Sequence, residues 1–358
     1  MSTLFRYFLT IYIGNFLRVI VGLSVVTILI DMVELARRTS SSDDLTVLNM
    51  ATLAALRAPS FLQNIVPFVV LFAAMMTLLA LNKRQELVIT RASGMSAWQF
   101  IAPLCVGSLL LGVVTVGVFN PVATRALAYS EEMQIEIGTK SARGDDVLPW
   151  FRQQTANGFV IIGAEQAAPG GARLGKPSFY FFDADNNPVQ RVDAEMANLI
   201  DGDWVLKSAS VFNNDGKFER LAVFSTPALV DNALLGQALT PPDTISFYDL
   251  SKSIDIARAF GSPDSPYAMR WHSLMALPAL LVAMTLIAAT VSLRFARFGH
   301  SSSAILGGIL AGFLLYVVTA MAEALGGASV IAPVIAAWLP VVAASFFGVT
   351  FLLHREDG

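Results

Sequence analysis

Gly170 to Lys176 reads Gly-x4-Gly-Lys, the opening of a phosphate-binding loop, so nucleotide chemistry is the first possibility to test. Such a loop cradles phosphate with backbone N–H groups and continues with a Ser or Thr whose hydroxyl holds magnesium. Here the next residue is Pro177, which supplies neither a hydroxyl nor an N–H. No long helical pattern follows, and the chain is expected not to hydrolyse ATP. Metal and acid–base chemistry fare little better. The three histidines, His272, His300 and His354, lie near the ends of apolar runs, none with a partner at metal-ligand spacing. His272 follows Trp271 and suits an interfacial anchor. Glu131, Glu132 and Glu136 read as a solvated helix face rather than a catalytic pair. The single cysteine, Cys105, sits inside an apolar run, where packing is the simpler use for a thiol, and a disulfide within the chain is impossible. No catalytic residue, metal site or cofactor is assigned to this chain.

A different kind of signal runs from Asn82 to Ser96, NKRQELVITRASGMS. Val88 and Ala92 are four apart with Ile89 beside them, which gives a short helix one apolar side. Lys83, Arg84, Glu86 and Arg91 populate the rest of its surface, and Gly94 is placed to end it. Two readings stand side by side: a basic loop with a helical turn, or a coupling helix that sits in a groove of a motor protein.

The elements around this loop are apolar runs near Val19–Ile30, Ile65–Leu81, Ile101–Val118, Leu274–Val291, Ala304–Met321 and Val330–Leu353. A helix crossing ~30 Å of hydrocarbon needs roughly 20 mostly apolar residues. Five runs qualify alone, and the first does so if it extends back through Phe8–Leu17 and tolerates Arg18. It is too long for a cleaved leader and lacks a small-x-small site, so it is expected to be retained. Composition agrees: 55% of residues are hydrophobic and 14% charged, against roughly 25% charged in soluble domains. The net charge of −3 offers no basic field to nucleic acid.

Six spans put both termini on one side. Arg6, Lys83, Arg84, Arg91, Arg294, Arg297, His300, His354 and Arg355 fall there. The other side has Arg37, Arg38 and Arg57, offset by Glu34, Asp43 and Asp44, and no basic residue in 322–329. Basic residues favour the cytoplasmic face, so the termini are expected in the cytoplasm and the large middle segment outside it.

That segment reads as β-structure. Phe159–Ile162, Phe179–Phe182, Val189–Val192, Trp204–Phe212 and Phe218–Phe224 are short and rich in Val, Ile, Phe and Tyr. Asn- and Gly-rich turns separate them. Trp204–Val211 alternates only in part, as one buried face would produce. Phe247, Leu250, Ile254 and Ala257 recur at helical spacing, which predicts a helix over 246–260. The expected fold is therefore an α-helical membrane protein of six transmembrane helices, 3 + 3, with an inserted all-β, jelly-roll-like domain. Its parts are residues 1–125, 126–268 and 269–358.

Arg84-Gln85-Glu86-Leu87-Val88-Ile89-Thr90-Arg91-Ala92-Ser93-Gly94 resembles the Arg-x-Glu-Leu-x-x-x-x-Ala-x-Gly segment of the LptF/LptG permease family, and the 3 + 3 layout is similar along essentially the whole chain. The end of the first run, Leu29–Glu34, and Trp338-Leu339-Pro340 look more like the LptG branch. The resemblance implies a subunit of the ABC-type exporter that lifts lipopolysaccharide from the bacterial inner membrane. Its implied partners are an LptF-like permease, two copies of the ATPase LptB, which binds ATP and magnesium, LptC, and an LptA-type periplasmic bridge. It also implies a V-shaped cavity that closes on ATP binding.

By that resemblance Arg84, Glu86, Leu87, Arg91 and Gly94 form the ATPase-coupling segment, with Glu86 facing a basic residue of the ATPase groove. Apolar walls for acyl chains are offered by Val66, Phe68, Val69, Phe72, Met75 and Met76. Charge at span ends is costly and seldom incidental, and relatives use basic residues there for headgroups. Asp31, Glu34, Arg37 and Arg38 are therefore the headgroup candidates, with Arg125 a further one. Asp31 would repel a phosphate unless a basic neighbour intervenes. The plainer alternative is that Arg37 and Arg38 neutralise Glu34 at i+3 and i+4. Two other functions remain open: a mechanotransmission protein that relays ATPase motion without moving lipid, and an anchored structural protein.

Overall fold

The computed structural model describes residues 3–39, 47–136, 151–155, 158–167, 173–200, 202–213, 218–227, 241–259, 263–295 and 301–356. Six of its helices are long and apolar enough to cross a membrane. They are α1 (Thr3–Thr39), α2 (Val47–Lys83), α4 (Ala97–Val114) continued by α5 (Asn120–Glu136), α7 (Ser265–Phe295), α8 (Ser301–Gly327) and α9 (Pro333–Glu356). Between α2 and α4 lies the short α3 (Glu86–Ala92), and α6 (Phe247–Ala259) precedes α7. The helix expected over 246–260 is thus present.

At 1.5 Å per residue α1 and α2 each measure about 55 Å, well beyond the hydrocarbon thickness. The third span likewise carries through residue 125 to Glu136. Where they project, α1, α2 and α5 stay together through Leu35, Leu53 and Ala54, with Ile28, Met32 and Met133 against them. Lower down, the first four spans share one core containing Tyr12, Val69, Leu78, Ile101 and Leu281. Lipid is as apolar as leucine, so packing and polar contacts must hold such helices together. The Tyr12 hydroxyl lies 2.7 Å from Ser108 Oγ, itself 2.5 Å from Thr285 Oγ1, which ties spans one, three and four. Gly112 meets α7 so closely that an added Cβ would stand 2.5 Å from Pro278 Cα.

α4 passes into α5 through one π-helical turn, Thr115–Phe119. Such a turn loosens the i→i−4 ladder, and here the Gly117 carbonyl accepts from the Tyr248 hydroxyl at 3.1 Å. Asn120 next to it donates to Gln63 Oε1 (3.2 Å) and accepts from the backbone N–H of Phe247 (2.9 Å). These bonds seat α6 on the second and third spans.

The insertion comprises β1 (Phe151–Thr155), β2 (Gly158–Gly163), β3 (Gln166–Ala167), β4 (Arg173–Gly175), β5 (Ser178–Asp183), β6 (Pro188–Asp193), β7 (Met196–Ile200), β8 (Asp203–Asn213) and β9 (Phe218–Pro227). All pairings are antiparallel. The order is β1-β2-β5-β6-β8-β7-β4-β3, with β9 also on β8. β9 occupies one edge of β8, and the other edge is shared: β7 pairs with Asp203–Lys207, β6 with Ser210–Asn213. Ser208, at φ +54°, is a backbone kink at that fork, where the register with β9 continues unshifted. It moves the buried set from Trp204 and Leu206 to Ala209 and Val211, which is why alternation along Trp204–Val211 looks incomplete in the sequence.

Phe179 and Val192 of one branch and Leu174 and Ala197 of the other close on Trp204 in a single core. The jelly-roll-like insertion is thus one antiparallel sheet, forked and curled like half a barrel. Five strands match the sequence expectation, and β1, β3, β4 and β7 were not foreseen. The β5–β6 turn is held by Asp183, whose carboxylate accepts from Asn187 and Asp185 and is kept below the usual carboxylate range by those bonds.

Candidate functional site

The span order places α3 at one end of the helical bundle and the β-domain at the other, because exactly one span separates them in sequence. A helix of seven residues is marginal alone, so its environment must hold it. Gln85, at φ +60°, turns the chain out of α2, and Gly94, at φ +86°, releases it from α3. That second geometry favours glycine because an L side chain is strained there. Leu87, 3% exposed, plugs α3 into the core of the spans. The Thr90 hydroxyl, also buried, bonds the Glu86 carbonyl at 2.6 Å. With those two turned in, Val88 and Ile89 are turned out, 53% and 67% exposed, and Ala92 is exposed with them.

Glu86 stands beside this apolar face. It accepts from the Tyr7 hydroxyl at 3.3 Å and lies 4.0 Å from Arg84 Nη1. Its carboxylate is therefore oriented by span one while remaining accessible at its edge. The backbone of Arg91 belongs to α3, and its side chain lies outside the described residues. Of the sequence-predicted coupling residues, Glu86 and Leu87 lie on α3, and Arg84 and Gly94 lie in the turns that flank it. Leu87 is its anchor and not part of its exposed face.

At the opposite end the headgroup candidates divide. Asp31 is not offered to a ligand: its carboxylate is 3.0 Å from Arg57 Nη1, with side chains 8% and 10% exposed. The Arg57 guanidinium also lies 5.3 Å from the Phe61 ring centroid. The basic neighbour that Asp31 requires is thus on span two. Arg57 counted only as a loop charge in the sequence, and the signal that could have found it is two opposite charges inside adjacent apolar helices. Arg37 makes a bidentate pair with Glu34, both bonds 3.0 Å, as the i+3 spacing allows. Its side chain is nevertheless 76% exposed. The side chain of Arg38 lies outside the described residues, as do Asp43 and Asp44, and Arg125 is exposed on α5.

The six apolar wall candidates do not form one surface. Val66, Val69 and Met75 are buried within the chain's own core. Phe68, Phe72 and Met76, spaced by four, follow a second stripe: the first two half-buried, Met76 exposed. The Phe68 ring lies 5.2 Å from Tyr316 of α8. A 3.6-residue period puts consecutive apolar residues on different faces, so the sequence run mixed core with surface. Among the described residues, no three His, Cys, Asp or Glu side chains gather as a metal would require.

Comparison with known proteins agrees with this arrangement. The chain is 25% identical over 317 residues to the lipopolysaccharide export system permease protein LptG of Escherichia coli strain K12, covering 84% of each chain. The same figures hold for the protein of that name from E. coli O6:H1. Residues 6–354 match the family model described as lipopolysaccharide export system permease LptF/LptG. With that match spanning nearly its whole length, the chain belongs to the LptF/LptG family of lipopolysaccharide export permeases.

Proposed function

We propose that the chain is the LptG-type transmembrane permease subunit of an ABC-type lipopolysaccharide exporter in the bacterial inner membrane. In this reading it carries no catalytic site of its own. ATP and magnesium bind a separate ATPase dimer of the LptB kind, and an LptF-like permease completes the cavity. Both termini and α3 face the cytoplasm. The β-domain faces the periplasm and passes lipid to LptC and an LptA-type bridge.

The observation that carries the reading is α3. Its inner side is fixed in the spans by Leu87 and Thr90, while Val88, Ile89 and Ala92 present an apolar face outward, with Glu86 at its edge. Because Leu87 is embedded in the spans, displacement of α3 by an ATPase moves the helices with it. Interiors are close-packed and transmit such displacement rather than absorb it. Phe68, Phe72 and Met76 supply the chain's apolar contribution to the cavity wall, where a flexible thioether suits acyl chains of varied length. Arg37 and Arg38 meet lipid phosphates at the outer end, Arg37 by exchanging Glu34 for the stronger anion.

Purification of the complex in mild detergent, with photocrosslinker placed at position 76, tests the reading. Expected are a co-purifying ATPase and lipopolysaccharide attached at position 76. An ATPase without crosslinked lipid would favour mechanotransmission, and absence of both would sink the proposal.

A further inference from the structure

The first three spans belong to two packed bodies with irregular helix between them. Toward the α3 end, Tyr12, Ser108 and Thr285 share one chain of hydroxyl bonds, and the Asn15 amide donates to Thr77 at 2.9 Å, all five residues buried. Toward the other end, Asp31 meets Arg57, and Leu35, Leu53 and Ala54 form a separate cluster. Among the described residues, that cluster takes nothing from the last three spans. Between the two bodies, α1 has no buried residue from 17 to 30. α2 has Pro67, which lacks the N–H that the Gln63 carbonyl would receive in a regular helix. The third span has the π-helical turn that runs up to Asn120. The Asn120–Gln63 bond puts the breaks in α2 and the third span at one level, and prolines and π turns are where helices bend.

α6 reaches this level from the inner body. Its Leu250, Ile254 and Ala257, with Ile245 before them, are buried in the same core as Tyr12, Ile101 and Leu281. Its N-terminal end bonds outward. The Phe247 N–H donates to Asn120 Oδ1 at 2.9 Å, and the Tyr248 hydroxyl donates to the Gly117 carbonyl, inside the π turn, at 3.1 Å. The two chain connections of the β-domain therefore leave from different bodies. Its entry, α5, belongs to the outer one, and its return, α6, to the inner one.

We infer that the outer parts of α1, α2 and α5 form a lever that pivots on the bundle at the level of Gln63 and Asn120, and that α6 is the latch bonded across the pivot. A swing of the lever displaces the β-domain's entry against its return, so the root of that domain changes with the angle. Hinges of this kind take up the motion in a few residues while the bodies on either side stay packed. Val47 is sixteen residues from Gln63, about 24 Å along α2, so a tilt of about 10° moves it about 4 Å. The lever rests on the packing alone; that an ATPase drives it rests on the exporter reading above.

The test places pairs of spin labels in the full complex, in a Cys105→Ser background. Val47 and Glu132 are exposed on the lever, and Val334 is exposed at the start of α9. Trapping with ATP and vanadate should shift the Val47–Val334 distance by about 4 Å and leave Val47–Glu132 within about 1 Å. Tyr248→Phe, measured without nucleotide, should broaden the Val47–Val334 distribution and leave Val47–Glu132 sharp, because only the latch is lost. Deletion of Val118, an exposed residue of the π turn, returns i→i+5 bonding to i→i+4 and should abolish the shift on trapping. Equal change in both distances on trapping, or change in neither, would overturn the lever. Wild-type distributions in Tyr248→Phe would overturn the latch, and a full shift after the Val118 deletion would overturn the pivot. Where the deletion variant does not assemble, the wild-type pairs and Tyr248→Phe still decide. Failure of the exporter reading shows separately, as an ATPase missing from the wild-type preparation. The Tyr248→Phe comparison needs no nucleotide and then decides the lever by itself.

Discussion

At the residue scale, the chain separates charges buried in holding it together from charges that stay accessible at its surface. Asp31 and Arg57 belong to the first kind. Taking two charges out of water is costly, and a buried pair persists because losing one member is costlier still. Asp31→Ala is expected to destabilise the protein by about 3–5 kcal/mol, read as a lowered thermal midpoint of the purified chain in detergent. Asp31→Leu combined with Arg57→Met should recover most of that loss, because no charge is then stranded. A double variant as unstable as the single one would show the pair to be more than mutual neutralisation. Glu86 belongs to the second kind. Glu86→Lys should cost about 2–5 kcal/mol of ATPase binding if a basic residue faces it, and a charge-reversed ATPase should restore part of it. Normal assembly and export by Glu86→Lys would remove it from the interface. Asp31 was legible in the sequence as a costly charge, but its partner was not. Arg57 is twenty-six positions away, and only the packing of α1 on α2 brings it within 3.0 Å.

At the element scale, two close fits do work that propensity cannot. α3 depends on Leu87 to stay docked and on Ile89 to reach outward. Ile89→Asp should therefore weaken ATPase capture while leaving thermal stability nearly unchanged. Leu87→Ala should lower stability by about 2–5 kcal/mol, as core truncations do. If the two variants behaved alike, the division of α3 into an inner and an outer side would be wrong. Gly112 sets how near the third span comes to the fourth, since backbone atoms of Pro278 occupy the space a side chain would need. Gly112→Leu should cost at least the ~1–3 kcal/mol of ordinary overpacking, seen as a lowered midpoint with both spans still inserted.

These elements are unevenly legible in the sequence. The spans, five strands and the helix after the β-domain announce themselves by period and by turn residues. β4 and β7 do not, because three to five residues carry too little pattern. The kink at Ser208 even disguised β8, its longest neighbour, by shifting the alternation in mid-strand.

At the scale of the whole molecule, one helical bundle carries the short helix α3 at one end and a β-domain at the other. Cysteine labelling in intact cells, in a Cys105→Ser background, tests their orientation. An impermeant reagent should modify a cysteine at Ser225 and spare one at Glu86. Labelling at 86, with cytosolic controls protected, would reverse the assignment of sides.

The sequence by itself determined the number of spans, their 3 + 3 grouping, the β character of the insertion and the site of α3. Hydrocarbon thickness, helical period and turn chemistry are local demands, and local residue patterns must meet them. Only the tertiary structure decided which apolar residues face inward, so that Val69 is core and Met76 is surface. It also decided that Asp31 meets Arg57, that β8 serves two branches, and that Tyr248 of α6 reaches the π-helical turn of the third span. Those outcomes depend on which helices and strands become neighbours. A run of apolar residues satisfies a membrane equally well on every side, and only packing against particular partners tells one side from another.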